Sequence, residues 1–350
     1  MITWSIISVL ALVLVFAIIL LNRLKVIRRQ KQEVDKAYAL LDQKNTELTD
    51  SINYAQKIQQ ALLQDEEQKT KSFPEHFILF KPRDMVSGDF YWGAEKGGHV
   101  YFAAMDCTGH GVPGAFMSML GVSFLNDIMK TAEDASSPGR LLDLLKKRIV
   151  KELVQQEKGT EVKDGMDGAI LRFSKEQIFG NGNNGGPVQV EYAGANNPLY
   201  VVRECECQSE SESKVKGTSM IKSVGGNTDQ EGIEKRTKIK TSEDQKTLLT
   251  EIKADPMAIA HEERKTEQSF TTVKLKAYPN DSLYIFSDGF ADQFGGEKNK
   301  KFRYGNFKKL LMSLNNEPME ERKQFLDQTF TKWKKGYEQV DDVCILGVKV

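Results

Sequence analysis

The run Ala103-Ala104-Met105-Asp106-Cys107-Thr108-Gly109-His110-Gly111-Val112-Pro113-Gly114-Ala115 constrains the fold more than any other part of the chain. An apolar, strand-like stretch, Val100 to Met105, stops at a carboxylate and crosses a Gly-His-Gly turn. It restarts as a helix with Pro113 in the first turn, where a missing N–H costs least. The pattern predicts a strand-end acid held beside a helix N-terminus. Such a turn can present Asp106 to a cation and the N–H groups of Gly109 to Gly114 to an anion.

Ahead of this stretch the chain has a different character. Ile2 to Leu21 carries no charge and has the ~20 residues a helix needs to cross a bilayer core. Arg23, Lys25, Arg28, Arg29 and Lys31 follow directly, and no cleavage-site pattern intervenes. Residues 1–22 are therefore expected to be an uncleaved transmembrane anchor, with the basic cluster and everything after it cytoplasmic. That places the protein as a single-pass component of the inner (cytoplasmic) membrane. Residues 23–70 read as a basic juxtamembrane segment and coiled-coil helix, because Val34, Leu41, Leu48, Ala55 and Leu62 recur every seventh position. The alternate seam positions Tyr38, Asn45, Ile52 and Gln59 are polar-rich, the pattern of a weak parallel homodimer whose register Asn45 helps set. The alternative is one amphipathic helix lying on its own downstream domain.

From residue 71 to 350 strand and helix signals interleave. Phe77–Phe80, Val100–Met105, Ala169–Phe173, Val188–Tyr192, Leu199–Val202, Phe270–Leu275, Leu283–Phe286 and Val343–Val350 read as strands. Val112–Lys130, Arg140–Gln156, Phe307–Leu314 and Met319–Lys334 have helical spacing. Strands group with strands and helices with helices, which favours an α+β layered fold over alternating βαβ units. Residues 204–250 are rich in Ser, Glu, Lys and Gly and poor in aromatics, so a disordered insertion is expected there.

Lys plus Arg and Asp plus Glu both number 49, a balance that argues against nucleic acid as a partner. The four cysteines show no metal-site or disulfide spacing, and Cys107 follows a carboxylate that disfavours its thiolate. The carboxylates carry more. Asp89, Asp106, Asp288 and the pair Asp341-Asp342 all sit where strands end or turns begin. One such Asp is ordinarily a turn former. Several brought to one edge of a layered fold would repel one another unless a cation sat among them. Oxygen-only ligation selects hard ions, Mg²⁺ or Mn²⁺. Two such ions would activate water for hydrolytic phosphoryl transfer.

The series Phe80-Lys81-Pro82-Arg83-Asp84-Met85-Val86-Ser87-Gly88-Asp89-Phe90-Tyr91-Trp92, Asp106 to Ala115, Tyr192-Ala193-Gly194-Ala195-Asn196-Asn197-Pro198, Ser287-Asp288-Gly289 and Asp341-Asp342 resembles the SpoIIE-like branch of the metal-dependent (PPM, type 2C) serine/threonine protein phosphatases. The resemblance runs in order from Phe73 to Val350. It implies a four-layer α-β-β-α sandwich with two Mn²⁺ or Mg²⁺ ions on one edge. Carried onto this chain, Asp106 bridges both metals with the Cys107 carbonyl beside it, and Asp288 and Asp341 complete one shell. Asp89 contacts a metal directly or through water, and of the pair Asp341-Asp342 the ligand assignment falls to Asp341 ahead of Asp342. His110 is either a general acid or a turn-stabilising residue. Arg83 is either a substrate-phosphate ligand or a surface residue, and Asn196 and Asn197 read as turn formers.

The implied activity is hydrolysis of phosphoserine or phosphothreonine in a protein substrate within bacterial signalling, such as an antagonist of an anti-sigma factor. A catalytically inactive scaffold that binds phosphorylated partners is the alternative. A nucleotide cyclase, suggested by Ser87-Gly88-Asp89-Phe90, lacks an accompanying purine site or Gly-rich phosphate loop.

Overall fold

The computed structural model describes residues 2–70, 74–133, 136–154, 164–179, 186–204, 221–224, 236–242, 246–261 and 268–350. The chain divides into two compact units, Met1–Tyr54 and Ala55–Val350. Helix α1 (Ile2–Thr70) runs without a Gly or Pro to interrupt it. In the first unit Trp4, Ile6, Leu10, Leu14, Ile18 and Leu21 are exposed, as are Val34, Tyr38, Leu41 and Leu48.

The second unit contains β1 (His76–Lys81), β2 (Phe90–Lys96), β3 (His99–Cys107), α2 (Gly111–Thr131), α3 (Pro138–Ile149), β4 (Met166–Ser174), α4 (Lys175–Phe179), β5 (Val188–Ala195), β6 (Leu199–Glu204), β7 (Ile221–Val224), β8 (Thr237–Thr241), β9 (Thr247–Ile252), β10 (Val273–Ala277), β11 (Ser282–Phe286), α5 (Gly289–Asp292), the short hairpin strands β12 (Phe294–Gly295) and β13 (Lys300–Lys301), α6 (Arg303–Ser313), α7 (Met319–Lys334) and β14 (Val343–Lys349). A π-helical turn, Val150–Val154, extends α3.

Two six-stranded sheets are formed, in the orders β1-β14-β11-β6-β9-β8 and β2-β3-β4-β5-β10-β7. Every pairing within them is antiparallel. β11 and β14 face β3, while α2 and α3 cover the outside of the second sheet and α6 and α7 that of the first. The result is a four-layer α-β-β-α arrangement. Phe90, Phe102, Leu171, Leu283, Ile285 and Leu346 are fully buried in a core shared by both sheets. A second cluster, built on Phe286, Phe290, Phe307, Leu326 and Phe330, seats α6 and α7. Each such side chain contributes about 1.5–3 kcal/mol on burial. Among the described residues, α2 is long and apolar enough by composition to cross a membrane, yet Val122 and Leu125 lie fully within the core.

Three features differ from the sequence reading. The second unit begins inside α1, at Ala55, ahead of Phe73. The segment 204–250 contains β8 and the first four residues of β9, and every residue of β9 is buried between β6 and β8. Leu248, Leu249 and Ile252 provide the apolar surface that offsets its ordering. β7 pairs with β10, and the remaining positions of that segment lie outside the described residues. β2, with Phe90, Tyr91 and Trp92 all buried, is a strand that the sequence reading does not include, and Asp89 immediately precedes it.

Candidate active site

The strand ends fix where the carboxylates go. Asp106 lies at the end of β3, directly opposite Asp167 on β4. Asp89 immediately precedes β2, which pairs with β3 so that Phe90 faces Met105. Asp288 follows β11, and Asp341 stands two residues ahead of β14, which pairs with β11. Two acids therefore come from each sheet, at the edge where the sheets meet.

Their charges bear on one another across the two sheets. Burial raises the carboxyl of Asp89 well above its usual range, and the charge of Asp106 pushes it further. Asp106 is raised by burial and by the charges of Asp288, Asp341 and Asp167, while the Asp288 N–H donates back to it. Burial followed by Asp341 pushes Asp288 up to about 6. Asp341 is raised chiefly by burial. Buried and mutually repelling, these groups favour a cation among them. The Ser287 hydroxyl offsets part of the rise at Asp89, yet among the described residues Asp89 Oδ2 is buried with no hydrogen-bond partner, the orphan a metal or its water would satisfy. Among the described residues, however, no three His, Cys, Asp or Glu side chains are packed as a ready metal cage.

The surrounding backbone is tied down at several points. Thr108 N–H donates to Gly165 O at 3.0 Å, and Gly165 N–H donates to the Thr108 hydroxyl at 3.0 Å, fixing the turn after Asp106 to the approach to β4. Gly109 and Gly111 hold φ of 84° and 65°, which lets that turn feed α2 directly. Asp342 accepts from Arg83 N–H and Gly88 N–H, both at 2.7 Å, so its carboxylate is engaged in holding the loop ahead of Asp89. Gly289 packs so tightly on the Asp342 carbonyl that a Cβ there would lie 2.0 Å from the oxygen.

His110 and Arg83 stand on the rim. His110 Nδ1 lies 3.0 Å from Asp84 Oδ2, and both side chains are about half exposed. Arg83 Nη1 donates to Val340 O at 3.0 Å, beside Asp341. The Cys107 thiol is fully buried and pushed well up by burial and by Asp106, so it offers no thiolate nucleophile. Asn196 adopts a positive φ of 56°, as a turn former does, and its Nδ2 donates to Asp167 at 2.8 Å.

Two residues of this neighbourhood escaped the sequence reading. Asp167 is a strand-end acid in Gly165-Met166-Asp167-Gly168, and the rule that singled out the other four would have found it. Gln59, expected on the coiled-coil seam, is instead buried. Its Nε2 donates to Ser87 O at 2.7 Å and Ser118 Oγ at 2.9 Å, and its Oε1 accepts from Ser87 N–H at 3.0 Å. No sequence signal separates such a glutamine from a solvated helix position.

The two opposed antiparallel sheets, the helices outside them and the acidic edge define the fold of PP2C-type (PPM) phosphatase domains, SpoIIE among them. In particular, the chain is similar to the SiaA-PP2C domain of Pseudomonas aeruginosa, with a TM-score of 0.63 and 24% identity over 87% of this chain and 98% of that one. It is also similar to the PP2C phosphatase domain and regulatory-domain fragment of the cell fate determinant SpoIIE from Bacillus subtilis. There the TM-score is 0.51 and identity 13%, over 79% of this chain and 63% of that one. No protein-family model and no curated protein matches the sequence.

Proposed function

We propose that this chain is a membrane-anchored, cytoplasm-facing, metal-dependent phosphoserine/phosphothreonine protein phosphatase acting in bacterial signalling. The observation that carries the reading is the electrostatic coupling of Asp89, Asp106, Asp288 and Asp341 at one sheet edge. The oxygen-only donor set and the orphaned Asp89 Oδ2 fit Mn²⁺ or Mg²⁺. Asp106, the Cys107 carbonyl, Asp288 and Asp341 would hold two ions, with Asp89 joining directly or through water. When bound, such ions supply activation of water and neutralisation of phosphoryl charge.

The chain's own groups do the rest. Arg83, exposed on the rim, offers a guanidinium to the substrate phosphate. Asp84 orients His110 through Nδ1, leaving Nε2 to deliver a proton to the departing serine oxygen. Asp342 keeps the Arg83-to-Asp89 loop in register with Asp341. A small phosphoprotein of the kind that antagonises anti-sigma factors is the substrate the sequence resemblance favours.

The exposed Trp4, Ile6, Leu10, Leu14, Ile18 and Leu21 support membrane anchoring, since apolar side chains gain free energy by leaving water. The exposed Val34, Tyr38, Leu41 and Leu48 support a homodimer through the helix ahead of Gln59. A catalytically inactive scaffold is the second reading, favoured by the lack of a ready cage among the described residues. Full-length protein in lipid nanodiscs tests the first. With Mn²⁺ it should dephosphorylate a serine-phosphorylated protein, and Asp106→Asn and Asp288→Asn should abolish turnover. Undiminished turnover in either variant overturns the mechanism, and calorimetry showing no Mn²⁺ binding favours the scaffold.

A further inference from the structure

Beyond the acidic edge, a second feature of the molecule carries a function. The β12–β13 hairpin and the last turn of α7 border an open surface cavity of about 500 Å³, lined by Gly296 and Trp333 and by Lys298, Lys300, Lys332 and Lys335. All four lysines are exposed, and among the described residues none makes an ion pair. Glu297 is the single acid in the lining. Helix-ending lysines are commonplace as partners of a helix dipole. Here two of the four come from the hairpin, and the carbonyl of Trp333 is already taken by the Gly296 N–H at 2.9 Å.

The cavity is built, not incidental. Trp333 Nε1 donates to Gln293 O at 3.0 Å, and its ring meets Phe302 edge-on at 5.3 Å. Gly296 lies against the indole, where a Cβ would come within 3.0 Å of the ring. The apolar floor is thus a fixed aromatic, and the rim is cationic.

The cavity is also joined to the acidic edge. Gln293 caps α5, whose other end is Asp288. The Gln293 side chain donates to Glu338 O at 3.0 Å and accepts from Val340 N–H at 3.1 Å, one residue short of Asp341. One glutamine therefore links the cavity wall to the strand ends that carry two of the carboxylates.

We propose that this lysine-rimmed cavity is a docking site for an acidic segment of the protein substrate, with one apolar side chain of that segment seated against Trp333. Charge complementarity selects the occupant: four cations with no ion-pair partner among the described residues, against one acid in the lining, attract carboxylates, and the indole accepts an apolar anchor. The proposal rests on the reading of the chain as a phosphoprotein phosphatase, and it deepens that reading by naming how a protein substrate is distinguished from a small ester.

The test uses full-length protein in nanodiscs and the triple variant Lys298→Glu/Lys300→Glu/Lys332→Glu, whose changes are all on exposed side chains. The binding probe is a fluorescein-labelled, unphosphorylated Glu-rich peptide with a central Phe, followed by anisotropy. Its affinity should fall about tenfold or more in the variant and weaken with added salt in the wild type. With the serine-phosphorylated form, KM should rise by a similar factor while kcat holds, and kinetics on p-nitrophenyl phosphate should not change. Equal peptide affinity in variant and wild type overturns the proposal. So does an equal loss on reversing Lys130 and Lys276, exposed lysines elsewhere. Because the binding arm needs no turnover, loss of peptide binding in the triple variant supports docking even where the wild type proves inactive, and that inactivity counts against the phosphatase reading alone.

Discussion

Asp342 accepts a 2.7 Å hydrogen bond from the backbone N–H of Gly88, 254 positions earlier in the chain, and its other oxygen accepts from Arg83 N–H. One carboxylate thus pins both ends of the loop that delivers Asp89 to the strand ends carrying Asp288 and Asp341. Two charge-assisted bonds are lost in Asp342→Ala, and two backbone donors are left unmet. The expected cost is about 2–3 kcal/mol, since removing a negative charge from beside Asp89 offsets part of the loss. Chemical denaturation should show this decrease, with Asp342→Asn intermediate because it keeps one acceptor. A fully stable Asp342→Ala would mean that the loop is held elsewhere.

Gln59 holds the same loop from the other side. In Gln59→Leu the Ser87 N–H loses its partner, Ser87 O keeps only the Ser118 hydroxyl at 3.1 Å, and the apolar replacement stays buried. A stability loss of about 2 kcal/mol is expected. Because Ser87 is two residues from Asp89, the Mn²⁺ concentration giving half-maximal turnover should rise while substrate KM changes little. Gln59→Glu retains the acceptor for Ser87 N–H and should fall between wild type and Gln59→Leu in stability. A Gln59→Leu enzyme with unaltered Mn²⁺ dependence would show that the helix end supports the fold without positioning the site.

Gly289 shows how little slack the site has. A methyl group there would lie 2.0 Å from the Asp342 carbonyl oxygen and 3.3 Å from Val343 Cγ2. No rotation relieves a clash between Cβ and backbone, so Gly289→Ala must push α5 away from β14 and separate Asp288 from Asp341. The expected result is a loss of turnover of about 100-fold, as small displacements of reacting groups cost that much, with a modest fall in melting temperature. Near-normal turnover would place Asp288 outside the chemistry.

Much of the fold and of the acidic edge is legible in the sequence, and the illegible parts have physical reasons. The strand–Asp106–turn–α2 stretch declared itself because one short window holds every determinant: an apolar run, two glycines and an N-terminal proline. Helix α7 was legible over Met319–Lys334 for a similar local reason. β9 was not, because Leu248 and Leu249 sit among Ser, Lys and Gln, and their burial depends on β6, more than forty residues upstream. Gln59 reads as a seam position because heptad spacing says nothing about which surface a helix meets. Asp342 reads as the second choice of ligand in its pair, and its two oxygens accept from backbone N–H groups that no sequence pattern links to it. Local signals expose elements, whereas partners brought together by the sheets have to be seen.

The orphaned oxygen of Asp89 gives a prediction in which stability and function move in opposite directions. Asp89 is buried, repelled by Asp106, Asp342 and Asp341, and has Oδ2 unpartnered. Without metal, its charge is a cost of folding; with metal, it is part of the binding energy. Asp89→Asn removes that charge at nearly constant volume, so in EDTA the variant should be more stable than wild type by about 1–2 kcal/mol. Adding Mn²⁺ should raise the wild-type melting temperature as ligand binding shifts the folding equilibrium, and should raise that of Asp89→Asn much less. The two melting curves should therefore approach one another, or cross, as Mn²⁺ is titrated. A variant that is less stable in EDTA yet gains as much from Mn²⁺ as wild type would show that Asp89 is a structural acid, and would remove it from the metal-binding set.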